Sequence, residues 1–246
     1  MHMGKTECIV FSSKRKRHLV KSFNIVCNGH VIKSSSQVKY LGLKLDNCLS
    51  GAEIVNSVVS KCNSRLNFLY RYRDVLDERS RKLLAFALIQ SNFDYGVSAW
   101  YQGVSKLCKR KLQVSQNKVV RFILNLGPRS HVGQRELGSL NLLCTADRAQ
   151  QLMLNHMYNI FHETAPRYLS QSFVRVKSQH AYSTRSSELN FVVPISSGLT
   201  QFNMSTQGVK FWNNLPSSIK NVCVKSAFKT KVKSHLQSYA ERAGYT

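Results

Sequence analysis

The sequence predicts an α+β fold that is mainly helical. Short β-prone runs and an Asn-Gly turn occur before residue 48, whereas apolar residues recur at helical spacing from residue 50 onward. Hydrophobic residues make up 43% of the 246 positions, enough to fill a core. We expect a small antiparallel β element over 1–48, a helical bundle over 49–127 and a looser, mainly helical region over 128–246.

The β element is predicted from β-prone segments and the turns between them. Residues 7–11 and 23–27 are such segments, and Asn28-Gly29 is a strong hairpin turn after which Val31 resumes the pattern. Residues 38–46 are predicted to form one further strand, with Gly42 marking a bulge or a close backbone approach.

The helices are predicted from apolar periodicity and from signals at their ends. Ser50 and Glu53 have the spacing of a capping box, and Asp77 is a suitable cap for the next helix. Gly127-Pro128 ends the third helix. Helices are therefore expected at about 50–74, 77–88, 104–126, 145–162 and 226–240.

The charge of the chain indicates a polyanionic partner. Lys and Arg total 36 against 12 acidic residues, which gives a net charge of +24. An excess of this size repels itself unless a polyanion neutralises it. RNA, DNA and an anionic membrane face are all polyanions, and the wide spread of the charge along folded elements favours nucleic acid.

The sequence gives no sign of a membrane segment or a secretion signal. No stretch reaches the roughly 18 to 20 apolar residues that span a bilayer, and residues 1–8 have no hydrophobic signal core. We therefore expect no membrane partner and an intracellular protein, nuclear and/or cytoplasmic. The basic run at 14–17 is either a nuclear localisation signal or a solvated loop.

The third predicted helix best shows how a polyanion could bind. Leu112, Val119 and Ile123 fall on one face, while six basic residues and no acid occupy the rest. An ordinary solvated face is the other interpretation. With the first and last helices, the residues expected to contact phosphates are Lys61, Arg65, Lys106, Lys109, Arg110, Lys118, Arg121, Lys229 and Lys233.

Catalytic and metal-binding patterns are missing from the sequence. Two-metal chemistry needs at least two neighbouring carboxylates, whereas Phe93-Asp94-Tyr95-Gly96 offers one. Asp74, Asp77 and Glu78 are interpreted as a helix end and the next cap. The seven cysteines form no C-x-x-C pair, so we expect isolated thiols in a reducing compartment. No catalytic residue, metal site or cofactor is predicted for this chain.

Several short motifs occur in a particular order along the chain. They are Lys5-Thr6 with 7–11, the Tyr40-Leu41-Gly42 core of 38–46, Phe93-Asp94-Tyr95-Gly96 with Trp100, Gln116-Asn117-Lys118, Thr184-Arg185, and Phe211-Trp212-Asn213-Asn214-Leu215-Pro216 with Phe228-Lys229. In this order they resemble the palm edge, thumb and C-terminal region of the reverse transcriptase of non-LTR retrotransposons, of the jockey-like and CR1-like kind.

The resemblance implies roles for some residues. Residues 38–46 resemble the primer-grip hairpin, in which Tyr40, Leu41 and Gly42 match the grip on the primer end. Lys5 matches a palm lysine proposed to help proton transfer to pyrophosphate. The palm and fingers segment with the metal-binding aspartates has no counterpart here, so Mg²⁺ would require that upstream partner.

Two functions follow as expectations. The first is a nucleic-acid-binding fragment of an RNA-directed DNA polymerase, which holds RNA, DNA or an RNA–DNA hybrid without being an enzyme by itself. The alternative is a truncated, degenerate open reading frame with no biochemical role of its own.

Overall fold

A computed structural model describes residues 6–12, 16, 23–178 and 188–242. Within these ranges the protein is an α+β fold that is mainly helical, with a small β element at its N-terminal end, as predicted. The strands are β1 (Cys8–Ile9), β2 (Asn24–Cys27), β3 (His30–Ser35), β4 (Gln37–Tyr40) and β5 (Leu43–Asp46).

The β2–β3 hairpin confirms the turn that was predicted at Asn28-Gly29. Both turn residues have positive φ, 49° and 78°, as a two-residue hairpin loop requires. The two strands pair in antiparallel fashion, and β1 adds to the other edge of β3 in parallel, with Cys8 opposite Ser34. The order in this sheet is β1-β3-β2.

The prediction of one strand over 38–46 from the residue pattern is wrong, because the chain reverses in the middle of that segment, as the hairpin implied by the resemblance requires. Strands β4 and β5 form an antiparallel hairpin in which Tyr40 faces Leu43. Leu41 and Gly42 make the turn with φ of 46° and 82°. Gly42 adopts this left-handed conformation without a steric penalty, so it marks a turn and not a bulge.

Eleven α-helices occur in the described ranges, joined by short 3₁₀ and π turns. They are α1 (Ala52–Tyr70), α2 (Glu78–Ala85), α3 (Ser91–Asp94), α4 (Val97–Trp100), α5 (Lys106–Ile123), α6 (Gln134–Ser139), α7 (Thr145–Phe161), α8 (Arg167–Ser170), α9 (Val209–Asn213), α10 (Ser217–Lys220) and α11 (Lys225–Arg242). None of the described helices has the length and apolar content needed to cross a bilayer.

The start of α1 differs from the predicted capping box. Gly51 is the N-cap of α1 and has a left-handed conformation. Because glycine has no side chain, this N-cap residue makes no side-chain capping hydrogen bond. Ser50 instead belongs to a turn around Asp46, whose carboxylate accepts the Cys48 and Ser50 amides at 3.0 Å and the Ser50 hydroxyl at 2.9 Å. A side chain at Gly51 would also collide with Val104, since its Cβ would lie 2.4 Å from Cγ1.

The predicted caps and ends of the other helices agree better with the structure. Asp77 caps α2 by accepting the Ser80 amide at 2.9 Å, as expected. Helix α5 is shorter than the predicted 104–126, because Ser105 accepts the Cys108 amide and starts the helix there. Helices α7 and α11 lie within two residues of their predicted ends.

Two clusters of buried side chains form the core, and α7 contributes to both. The first cluster packs α1 against α5 and extends past residue 127 to Leu137 and Ala149. The second surrounds the fully buried Trp212 and Phe228 and includes Met157. Ala149 and Met157 belong to the same helix, so α7 joins the two clusters into one body.

Helices α1 and α5 run side by side in the same direction. Their N-terminal ends meet where Gly51 approaches Val104. Their C-terminal ends meet where the rings of Tyr70 and Phe122 lie 5.3 Å apart. A surface groove lies between them, lined by residues of both helices.

Arg81 of α2 is an unusual member of the core because it is only 8% exposed. Its guanidinium group donates to three backbone carbonyls, those of Ile123 at 2.9 Å, Leu76 at 3.0 Å and Arg73 at 3.2 Å. The Ile123 carbonyl is at the end of α5, and the other two belong to the loop that follows α1. Arg81 therefore joins this loop to the C-terminal end of α5.

We predict that Arg81→Leu lowers the free energy of unfolding by about 2–4 kcal/mol, because it leaves buried carbonyl groups without donors. Arg79→Leu is the matched control, since Arg79 is exposed on the same helix, and we expect it to change stability by less than about 0.5 kcal/mol. Urea denaturation followed by circular dichroism measures both. Equal losses would contradict the assigned role, and a non-cooperative wild-type transition would favour the degenerate-frame alternative.

Candidate nucleic-acid interface

Two surface depressions flank α1. The hairpin cleft, of about 340 Å³, lies between the β4–β5 turn, α1 and residues 91–95, and its lining includes Gly42, Lys44, Ser57, Lys61, Asn92 and Tyr95. The α1–α5 groove, of about 640 Å³, lies on the other side of α1, and its lining includes Val59, Leu107, Arg110, Lys111, Val114 and Lys118.

The hairpin cleft is formed because Tyr95 holds the β4–β5 turn against the helices. The Tyr95 hydroxyl donates to the Leu41 carbonyl at 2.6 Å, and its ring lies beside Gly42. The Tyr95 carbonyl in turn accepts the Trp100 indole N–H at 3.2 Å. The Tyr40-Leu41-Gly42 turn and the Tyr95-Gly96 segment, which are distant in sequence, thus meet at one place. The side chains of Tyr40 and Leu41 are exposed at the tip.

The electrostatics of the hairpin cleft favour an anion. Lys44 and Lys61 are exposed in its lining, and no acid occurs among the described residues that line it. Lys39 stands directly opposite Lys44 in the hairpin. Like charges in this arrangement destabilise a strand pair. A bound anion would relieve that repulsion, and Ser57 and Asn92 add hydrogen-bonding groups beside it.

The α1–α5 groove is also lined by cations, but exposed aliphatic side chains lie beside them. Leu107, Lys111, Val114 and Lys118 follow one another by four, three and four residues, so they form a single line on the outer side of α5. Leu107 is 65% exposed and Val114 is 47% exposed. This line alternates aliphatic and cationic side chains, and Arg110 lies beside it.

Two cations that were predicted to contact phosphate also bond the protein backbone. Lys109 donates to the Gln102 carbonyl at 3.4 Å and lies 5.2 Å from the ring centroid of Tyr101. Burial lowers the pKa of its ammonium group. Arg121 donates to the Ser130 carbonyl at 2.7 Å and so holds the loop after α5. Both side chains are partly withdrawn from the surface.

Two other cations that were predicted to contact phosphate, Arg65 and Lys233, also donate hydrogen bonds to backbone carbonyls. Arg65 donates to the Leu88 carbonyl near the hairpin cleft. Lys233 of α11 donates to the Asn141 carbonyl at 2.6 Å, and burial, helped by nearby positive charges, lowers its pKa. Lys106 and Lys229 are exposed, away from both depressions.

The structure brings together some of the predicted residues and adds others. Lys61 and Gly42 line the same cleft, whereas Lys5 lies outside the described residues, as do Thr184-Arg185 and most of the basic run at 14–17. Lys44 was missed by the sequence analysis. Interpreting Leu41-Gly42 as a two-residue turn would have placed Lys44 opposite Lys39 and drawn attention to it.

Asp94, the single carboxylate of the Phe93–Gly96 motif, is held in a structural ion pair. Its two oxygens accept from Arg148 of α7, with Nη2 at 2.6 Å and Nε at 3.0 Å, and the Gln90 amide donates to it at 2.9 Å. The pair joins α3 to α7. Within the described ranges, no group of three or more His, Cys, Asp or Glu residues is arranged to hold a metal ion.

Comparisons of the chain with protein-family models, with curated proteins and with solved structures gave no match. The function is therefore inferred from the geometry and charge of these two depressions.

We predict that Asp94→Asn lowers the free energy of unfolding by about 1–2 kcal/mol, since it weakens a two-point ion pair that is about one-quarter to one-third exposed. Asp74→Asn, at an exposed acid outside any described ion pair, should have little effect. Thermal denaturation of the three proteins measures the difference. If Asp94→Asn behaved like the control, the pair would not stabilise the contact between α3 and α7.

Proposed function

We propose that the chain binds nucleic acid, either RNA or an RNA–DNA hybrid, at the hairpin cleft and without marked sequence preference. The observation that carries this proposal is a cleft with exposed Lys44 and Lys61 whose described lining contains no acid. The proposal extends to nuclear and/or cytoplasmic localisation, since those compartments contain such polymers.

The charge of the whole chain supports a polymeric anion over a small one. A net charge of +24 is far more than a single phosphate group neutralises. Contacts to several successive phosphates release condensed counterions, and that release is the main source of non-specific affinity for nucleic acid. Lys39, which pairs with Lys44 across the hairpin, extends the positive surface beyond the lining residues.

Polar side chains in the hairpin cleft also suit a nucleic-acid backbone. Ser57, Ser91 and Asn92 line the cleft with the two lysines and offer hydroxyl and amide groups. Such groups bond phosphate and sugar oxygens, which position a strand without identifying its bases. The exposed ring of Tyr40 at the hairpin tip is suitably placed to stack on a base.

The resemblance to non-LTR retrotransposon reverse transcriptases suggests which strand the hairpin cleft would hold. Tyr40-Leu41-Gly42 and Tyr95-Gly96 carry part of that resemblance, and the hydrogen bond from Tyr95 to Leu41 supports their acting as one unit. We propose that this unit holds the end of a primer strand and that the helices form a thumb-like support. The described residues offer no site that fits Mg²⁺, so no catalytic step is proposed for this chain.

We predict that a labelled RNA of about 20 nucleotides binds with strong salt dependence. With about six or more phosphate contacts, the affinity should fall by roughly a thousandfold or more between about 50 and 200 mM salt. Fluorescence anisotropy over a salt series measures this. A flat salt response would exclude binding led by phosphate contacts.

We also predict that the double variant Lys44→Glu/Lys61→Glu weakens RNA binding by at least about tenfold at 100 mM salt and makes the salt slope shallower by about two phosphate contacts. Lys210→Glu/Lys225→Glu is the matched control, because both lysines are exposed, lie near the second core cluster and line neither depression. Equal losses in the two double variants would show that net charge, and not the hairpin cleft, determines binding.

A further inference from the structure

We propose that the α1–α5 groove binds an amphipathic helix of a partner protein, whose apolar stripe is flanked by Asp or Glu side chains. The inference does not depend on nucleic-acid binding at the hairpin cleft, which lies on the other side of α1. It rests on the exposed aliphatic side chains of the groove, its direction and its charge.

Exposed aliphatic side chains line the groove, beside the polar Asn56, Ser60 and Asn63 of α1. Leu107 and Val114 are 65% and 47% exposed, although both lie on a helix whose other side is buried in the core. Val59 of α1 approaches from the opposite wall. Aliphatic groups gain free energy when another apolar surface covers them, but they gain little from a phosphate backbone. The exposed aliphatic side chains therefore favour a protein ligand over a nucleic acid.

The direction of the groove suits a helix. Because α1 and α5 run side by side and contact each other near both ends, the groove between them follows the direction of the two helices. Leu107 and Val114 are two turns apart along it, which is the spacing at which a bound helix presents anchors at positions i, i+3 or i+4, and i+7. The volume of about 640 Å³ is sufficient for several apolar side chains of such a helix.

The charge of the groove defines the flanks of the partner helix. Arg110, Lys111 and Lys118 line the groove, and no acid occurs among its described lining residues. A partner with acidic residues beside its apolar stripe would match this pattern and would associate faster because of it. A second copy of this chain is a poor candidate, since it would bring another net charge of +24.

The experiment uses the full chain and a synthetic fluorescein-labelled helical peptide of about 20 residues, with Leu at i, i+4, i+7 and i+11 and Glu beside them. We expect binding with a dissociation constant in the micromolar range. The same peptide with Lys in place of Glu should bind at least tenfold more weakly. Failure of the acidic peptide to bind at about 100 μM, or equal binding of the basic peptide, would overturn the proposal.

Variants assign the binding to the groove. Leu107→Gln/Val114→Gln leaves the charge unchanged and should weaken binding of the acidic peptide by about tenfold or more. Leu83→Gln is the matched control, since Leu83 is an exposed leucine on α2 outside the groove, and it should change the affinity by less than twofold. Equal effects of the two variants would contradict binding in the groove.

Labelled RNA separates the two classes of ligand. We expect Leu107→Gln/Val114→Gln to leave RNA affinity within twofold of wild type, and Lys44→Glu/Lys61→Glu to leave peptide affinity within about threefold at 150 mM salt. If the groove variant weakened RNA binding and spared peptide binding, the groove would belong to the nucleic acid and the inference would be wrong. A failure of RNA binding alone would contradict only the proposed function.

Discussion

The scarcity of acidic side chains is the constraint on which the surface of this protein depends. With 12 acids against 36 basic residues, few carboxylates are present to neutralise cations. Most of those described accept hydrogen bonds at helix starts or in turns, or form ion pairs: Asp46, Asp77, Asp94, Glu136, Asp147, Glu163 and Glu188. No acid occurs among the described residues that line the two depressions beside α1, so both are cationic.

Helix α7 fixes the relative positions of the basic surfaces, because its side chains pack in both core clusters. Arg148 pairs with Asp94 on one side. One turn later, the Gln151 amide donates to the Lys229 carbonyl of α11 at 3.3 Å. Ala149 and Met157 then enter different clusters. A single helix thus connects α11 with the helices that support the hairpin cleft, and the basic surfaces keep fixed positions on one body.

The two depressions show why charge alone does not define a ligand. Both are lined by exposed cations and polar side chains, but only the α1–α5 groove has exposed aliphatic side chains, Leu107 and Val114, among its described lining. Electrostatic attraction acts on any polyanion, whereas the free energy of covering a leucine is gained only against an apolar partner. In our proposals, the exposed apolar side chains, and not the charge beside them, distinguish the site for an acidic helix from the site for a nucleic-acid strand.

Local patterns in the sequence determined the fold class, the ends of most long helices, the Asn28-Gly29 turn and the cap at Asp77, because periodicity and turn chemistry act over a few residues. The same local reasoning gave a capping box at Ser50 and a single strand over 38–46, and both were wrong. Asp46, four residues away, accepts the Ser50 hydroxyl, and the chain reverses at Leu41-Gly42.

Only the tertiary structure decided which cations share a surface. Tyr95 reaches Leu41 across 54 positions, and the ends of α5 meet those of α1 through packed cores. Periodicity places Arg110 and Lys118 on the outer side of α5, but it carries no information about the neighbouring helix that turns this side into a groove. The physical reason is that such contacts arise from the burial of distant apolar surfaces, which no local pattern encodes.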